Sequence, residues 1–471
     1  MTLARSLLLA LAAWAAGAQA APDPFKSTYQ PAASTPTLIR NATVLDGAGR
    51  RLDGADVLMR DGKIAAVGTG LAADGATVVD AQGRWVTPGL IDVHSHLGVY
   101  ASPGVNAHQD GNEATDPVTA GVWAEHGVWP QDPGFYTALA GGVTTLQVLP
   151  GSANLIGGRG VTLRNVAGTT MQDMKFPGAP HGLKMACGEN PKRVYGGKGK
   201  SPSTRMGNVA GYRQAFADAQ DYRRQWEKYQ RELAAYEEQQ KDGKASRRKR
   251  DGDLKPPTEP RRDLRLETLV GAMNGEIQVH IHCYRADEMA VMLDLAREFG
   301  FKVAAFHHGV EAYKIAERLA QEGVCGALWA DWWGFKMEAY DAVWENIAFV
   351  DAPANGCAIV HSDSAEGIQR LNQEAAKAMS RGRQAGLDIP PERAIRWITS
   401  NAARSLGIAD QVGTLEPGKR ADVVIWNREP FSVYALTDRV YVDGALRYDR
   451  AAPATQPESD FLLGQPAGGA L

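Results

Sequence analysis

The chain has 471 residues, 44% of them hydrophobic and 22% charged, and a formal net charge of -3. This composition excludes wholesale disorder, collagen and a polytopic membrane protein, and the charge excludes a generally basic nucleic-acid binder. Four cysteines, none in a C-x-x-C pair, exclude a disulfide scaffold and a cysteine zinc knot.

The N-terminus reads as a secretory signal. Arg5 precedes an apolar run from Leu7 to Ala16, and Ala18-Gln19-Ala20 is a small-x-small cleavage site. The run is about half the roughly 20 residues of a spanning helix. Residues 1–20 are therefore expected to leave a periplasmic or secreted product with no stable membrane anchor. In such a compartment the four cysteines are expected to form one disulfide or none, a Cys187–Cys283 pair staying open.

Residues 37–85 read as short strands that stop at Asp46-Gly47 and turn at Asp61-Gly62, a strong hairpin signal. The same texture returns over 410–450, so both ends are expected to build one small β domain. Between them, residues 86–409 alternate apolar strands (143–149, 277–282, 302–307) with helical stretches such as 287–299. Strand–helix repetition over this length predicts a parallel barrel. Residues 209–265 break the rhythm: a long polar helix-prone segment, then the basic run 244–250, read as an exposed helix and a mobile loop. A lid role or an acidic partner is the sharper alternative for this segment.

The chemistry-bearing residues fall near strand ends. His94-Ser95-His96 follows an apolar strand, and residues two apart on a strand face the same side, so two imidazoles can chelate one divalent ion. Pro150–Gly160, with Arg159, reads as a glycine-rich substrate wall whose guanidinium could pair with a carboxylate. Trp329–Lys336, with Trp332 and Lys336, reads as a second wall or as core packing. Gly-x-Ser-x-Gly is absent, and cysteine nucleophiles are set aside.

Three segments together resemble the amidohydrolase superfamily: Val86–His96, Thr399–Arg404 and Gly413–Asp422. The resemblance extends over 37–450 and is nearest the imidazolonepropionase-related branch. It implies an α/β fold, a (β/α)8 TIM-type barrel with a small β-sandwich domain from both chain ends. It also implies one or two divalent ions, zinc foremost. His94 and His96 match the first-strand ligands, His282 the fifth-strand ligand, and His308 the sixth-strand ligand. Asp363 matches the eighth-strand aspartate that binds metal and takes the proton of the attacking water. His361 is expected to orient Asp363 or hold a substrate oxyanion, and His280 and Arg285 are expected beside the substrate. The fourth-strand bridge stays open between Lys184, Glu189 and a single-metal site. The implied activity is metal-assisted hydrolysis of a C–N bond in an amide, cyclic amide or small peptide. A deaminase and a non-catalytic binding subunit are the alternatives. A small molecule is the expected partner, without nucleic acid, and an oligomer is left open.

Overall fold

The computed structural model describes residues 23–102, 104–245 and 255–452. The expected signal peptide and most of the basic run lie outside the described residues.

Strands β1 (Thr37–Leu45), β2 (Arg51–Arg60), β3 (Lys63–Gly68), β4 (Thr77–Asp80) and β5 (Trp85–Pro88) open the chain. The β2–β3 hairpin turns at Asp61 and Gly62, whose φ angles of 52° and 74° are those the Asp-Gly pair favours in a primed turn. Eight further strands follow: β6 (Leu90–Ser95), β7 (Val143–Val148), β8 (Ile156–Arg164), β9 (Gly182–Ala186), β10 (Gln278–His282), β11 (Val303–His307), β12 (Cys325–Leu328) and β13 (Ala358–Val360). The chain closes with β14 (Val423–Trp426), β15 (Thr437–Val442) and β16 (Ala445–Asp449).

Strands β6 to β13 form one sheet in sequence order, that of a TIM-type barrel. All neighbours run parallel except β8, which is antiparallel to both β7 and β9. Its glycines make this possible: at Gly158, φ is 120° and a side-chain Cβ would stand 2.2 Å from the Val122 carbonyl oxygen. The expected loop over 150–160 is thus a loop only to Leu155. Between β13 and β6 the seam is tied by the Asp363 amide donating to the His94 carbonyl at 3.0 Å. There the Asp92 carboxylate accepts from the Ser362 amide (3.1 Å) and hydroxyl (2.5 Å).

The remaining eight strands form a separate sheet from both chain ends, with β14 beside β5. Ile39, Val57, Val86, Val423 and Ile425 share its apolar core. A buried ionic cluster joins it to the barrel. Arg164 of β8 makes two 2.6 Å bonds to Asp422 and one of 3.2 Å to Asp443, which also accepts from Tyr29.

Helix Ala286–Phe299 places Met289, Met292, Leu293 and Ala296 on its buried face and ends at Gly300 in the left-handed region, as its periodicity predicts. The inserted helix, Arg205–Ala245, is not an exposed arm throughout. Its first half buries Tyr212, Phe216, Ala219 and Tyr222, with Phe216 stacked on Phe301 at 4.5 Å. Those apolar positions recur every three or four residues within a polar segment, enough to seat the helix on the barrel. No helix among the described residues is long and apolar enough to cross a membrane.

The four cysteines form two disulfides, Cys187–Cys283 and Cys325–Cys357, with Cα separations of 5.2 and 4.6 Å. This corrects the expectation of at most one. The register explains both: Ala186 lies opposite His282 and Gly326 opposite Ala358, so each cysteine meets its lateral neighbour on the next strand.

Candidate active site

Four strand ends converge at one mouth of the barrel. His94 and His96 come from the end of β6, His282 from β10, His308 from the residue after β11, and Asp363 from beyond β13. Asp363 lies at the centre: its carboxylate is 3.5 Å from His94 Nε2, 3.1 Å from His96 Nε2 and 3.7 Å from His308 Nε2. The ligand atoms of His94, His96 and Asp363 lie within 4.8 Å of one another, as do those of His94, His308 and His361. His308 and Asp363 have φ angles of 60° and 50°, a region rare for side-chain-bearing residues and often occupied at functional sites.

The electrostatics suit a cation. Burial, reinforced by Lys184 and the neighbouring rings, holds His94, His282 and His308 far below the usual imidazole range, so they are neutral donors. Burial likewise takes His361 down to about 3. Burial pushes Asp363 up, but the His96 hydrogen bond and the charges of His96, His361 and Lys184 outweigh it and keep the carboxylate below its usual range. His96 Nδ1 donates to the Leu149 carbonyl at 2.8 Å, leaving Nε2 bare toward Asp363. His308 Nδ1 and both nitrogens of His361 are buried without a hydrogen-bond partner. Neutral imidazoles, one carboxylate and unspent nitrogens fit a divalent ion of borderline softness.

Lys184 is wholly buried on β9, its Nζ 3.3 Å from His94 Nε2 and 3.0 Å from the Pro150 carbonyl. Burial lowers it from 10.5 to about 8. Glu189 faces elsewhere: its carboxylate lies 3.8 Å from Lys336 Nζ, and its amide donates to Glu338. A third carboxylate–histidine group, Asp23, Glu125 and His181, is filled by the Lys175 amine, 2.6 Å from Glu125.

Four expected substrate contacts are placed differently. Arg159 points outward on β8 because it pairs with Leu183, and it bonds Thr268 at 2.9 Å under the Trp123 ring. Arg285 pairs with Asp287 on the surface at 2.9 Å. His280 is wholly buried in the barrel interior, bonded to His307. Trp332 is 39% exposed, and Trp329 instead stacks on His308 with ring centroids 4.2 Å apart. Lys336 does reach the rim: its Nζ donates to Asn190 Oδ1 at 2.8 Å, and the Asn190 amide meets His282 Nε2 at 3.4 Å. Residues not singled out from sequence are Asn190 and His307 (2.8 Å from His94 Nδ1) and, within the two expected walls, Trp329 and Ser152 (3.1 Å from His282 Nδ1).

Comparison with known proteins agrees with this geometry. Residues 347–447 match the model of the amidohydrolase family. The crystal structure of an amidohydrolase from Thermotoga maritima MSB8 is 34% identical, with a TM-score of 0.74 over 88% of this chain and 100% of that one. The chain therefore belongs to the amidohydrolase family, a hydrolase class whose members generally use divalent metals. Amidohydrolase tasK of Hapsidospora irregularis is 30% identical over 92% of this chain and 45% of its own length. A dihydroorotase of Lactobacillus helveticus is 40% identical over 94 residues, 20% of each chain. This chain thus spans less than half the length of these curated relatives.

Proposed function

We propose that this chain is an exported, metal-dependent hydrolase that cleaves the C–N bond of an amide, cyclic amide or small peptide. The observation that carries this reading is the Asp363 carboxylate within 3.1–3.7 Å of three imidazole nitrogens from two strand ends. His94, His96, His282, His308 and Asp363 would hold the metal, zinc foremost, and Lys184, as a carboxylated lysine, would bridge two ions. Lys184 is preferred to Glu189 because its amine already sits beside His94. When bound, such an ion lowers the pKa of water toward about 7 and polarises a carbonyl. Asp363 accepts the proton of the attacking water and delivers it to the leaving nitrogen. His361, with both nitrogens unspent, donates to the developing oxyanion, and the Trp329 face bounds the substrate on the His308 side. The two disulfides and the apolar N-terminal run support a periplasmic or secreted location.

The test is metal content of protein purified without chelator, with turnover on panels of amides, lactams, dipeptides and amidines. One or two ions per chain are expected, with turnover on a carbonyl substrate. Asp363→Asn is expected to lower kcat by about 10²–10⁴-fold with the fold intact. Folded protein that neither contains nor takes up zinc or manganese would refute the reading. Turnover of amidines alone would replace it with a deaminase.

A further inference from the structure

TIM-barrel interiors are normally filled by branched apolar side chains. Beneath the ligand cluster this barrel instead buries a row of polar side chains from four strands: His94 (β6), His307 (β11), His280 (β10) and Gln147 (β7), each at most 1% exposed. They are joined end to end. His94 Nδ1 is 2.8 Å from His307 Nδ1, His307 Nε2 is 2.9 Å from His280 Nδ1, and His280 Nε2 is 3.4 Å from the Gln147 amide. Buried polar groups are costly unless each is satisfied, so this row needs a reason.

Each neutral imidazole has one N–H and one lone pair. The row therefore has only two consistent proton arrangements. If the Gln147 amide nitrogen donates to His280, the protons point upward along the row and His94 bears its hydrogen on Nε2, the atom facing Lys184 and Asp363. A protonated Nε2 cannot ligate. If His280 Nε2–H donates to Gln147 Oε1, every bond reverses. His94 then donates from Nδ1 to His307 and offers Nε2 as a bare lone pair. Gln147 Oε1 is a buried acceptor without a partner as the amide stands. Turning the amide by about 180°, an ordinary ambiguity of its O and N positions, places this oxygen on His280. The second arrangement thus frees the ligand and gives Gln147 Oε1 a donor, with the amide nitrogen taking the place that Oε1 held.

We infer that Gln147, His280 and His307 are positioning residues that set the tautomer of His94, with Gln147 Oε1 as the acceptor that orients the row. His96 needs no such device, because the Leu149 carbonyl already fixes its tautomer. This rests on the metal-dependent reading above and extends it to three residues that touch neither ion nor substrate.

The test compares the zinc affinity of the parent protein with that of Gln147→Met and Gln147→Glu by competition with a chromophoric chelator. Hydrogen-bond partners of metal-bound histidines are typically worth about 10–100-fold in affinity. Gln147→Met is expected to lose that much. Gln147→Glu, which offers an acceptor oxygen in either protonation state, is expected to recover most of it. In zinc-loaded protein labelled with ¹⁵N-histidine, His307 and His280 are expected to be protonated at Nε2. A folded Gln147→Met variant with parental affinity, or His307 protonated at Nδ1, overturns the inference while leaving the metal reading intact. A parent protein that takes up neither zinc nor manganese overturns both.

Discussion

Lys184 makes a prediction in which function and stability oppose one another. In the metal-free protein its amine is wholly buried and lowered from 10.5 to about 8. At about 1.4 kcal/mol per pKa unit, keeping the charged form folded costs about 3 kcal/mol. Lys184→Met fills a similar space without that charge, but forfeits the 3.0 Å bond to the Pro150 carbonyl, worth about 1 kcal/mol. The variant is therefore expected to be more stable than the parent by about 2–3 kcal/mol at pH 7. The sign of the pH dependence follows from the lowered folded value. Below pH 8 the lysine is charged in both states and the cost is complete. Between pH 8 and 10.5 the unfolded chain holds the proton that the folded chain has released, so parent stability rises with pH and the gap closes. Urea denaturation of chelator-treated protein at pH 7 and pH 10, followed by tryptophan fluorescence, reads both numbers. A variant less stable than the parent at pH 7, or a gap of equal size at both pH values, refutes the reasoning. The same variant should bind one ion fewer, whereas Glu189→Ala should leave metal content unchanged.

Two further predictions concern the frame around the site. Replacing Cys187 and Cys283 by serine opens a crosslink spanning 96 residues, for which chain entropy assigns about 4–5 kcal/mol. The midpoint of unfolding should fall, and zinc affinity should fall with it, because Cys283 directly follows His282. Arg164→Met leaves Asp422 and Asp443 buried without their shared cation, and removing one partner of such a cluster typically costs about 3–5 kcal/mol. Differential scanning calorimetry should show a lowered transition, and an unchanged one would mean that the two sheets are held by their apolar contacts alone.

The ligand order was legible because each candidate sits at a strand end whose apolar run announces it. His94 and His96 are two apart on β6 and face one side by the geometry of any strand. The same rule hid His307. Adjacent residues on a strand face opposite sides, so of His307 and His308 only one is expected inside. The structure brings both inward because β11 ends at His307 and His308 turns at a φ of 60°. Arg159 was misplaced for a related reason. Nothing in the apolar pattern of β8 reveals that it runs against its neighbours, and that pairing, opposite Leu183, is what aims Arg159 outward. The Cys187–Cys283 disulfide stayed open and Cys325–Cys357 was illegible because the partners, separated by 96 and 32 residues, meet only through the lateral register of parallel strands.

The same register accounts for where the polar atoms lie. Lys184 is paired with His280, and His280 with Ala305 one step before Phe306 and His307, so the charged bridge candidate and the row beneath His94 occupy adjoining layers of one barrel. An interior built for stability alone would fill those layers with Leu, Ile and Val. Here Lys184, His280, His307 and Gln147 are all buried, and Asp92 is driven by burial to about 7 at the seam beside them. Each is destabilising by itself, and the Cys187–Cys283 disulfide ties two of the strands concerned, β9 to β10. This crosslink thus offsets part of the cost of a polar interior where the chemistry requires one. If that is its role, Lys184→Met and the serine pair should compensate: the double variant should regain about 2–3 kcal/mol of the crosslink loss near pH 7. Strict failure to regain it would separate this disulfide from the site.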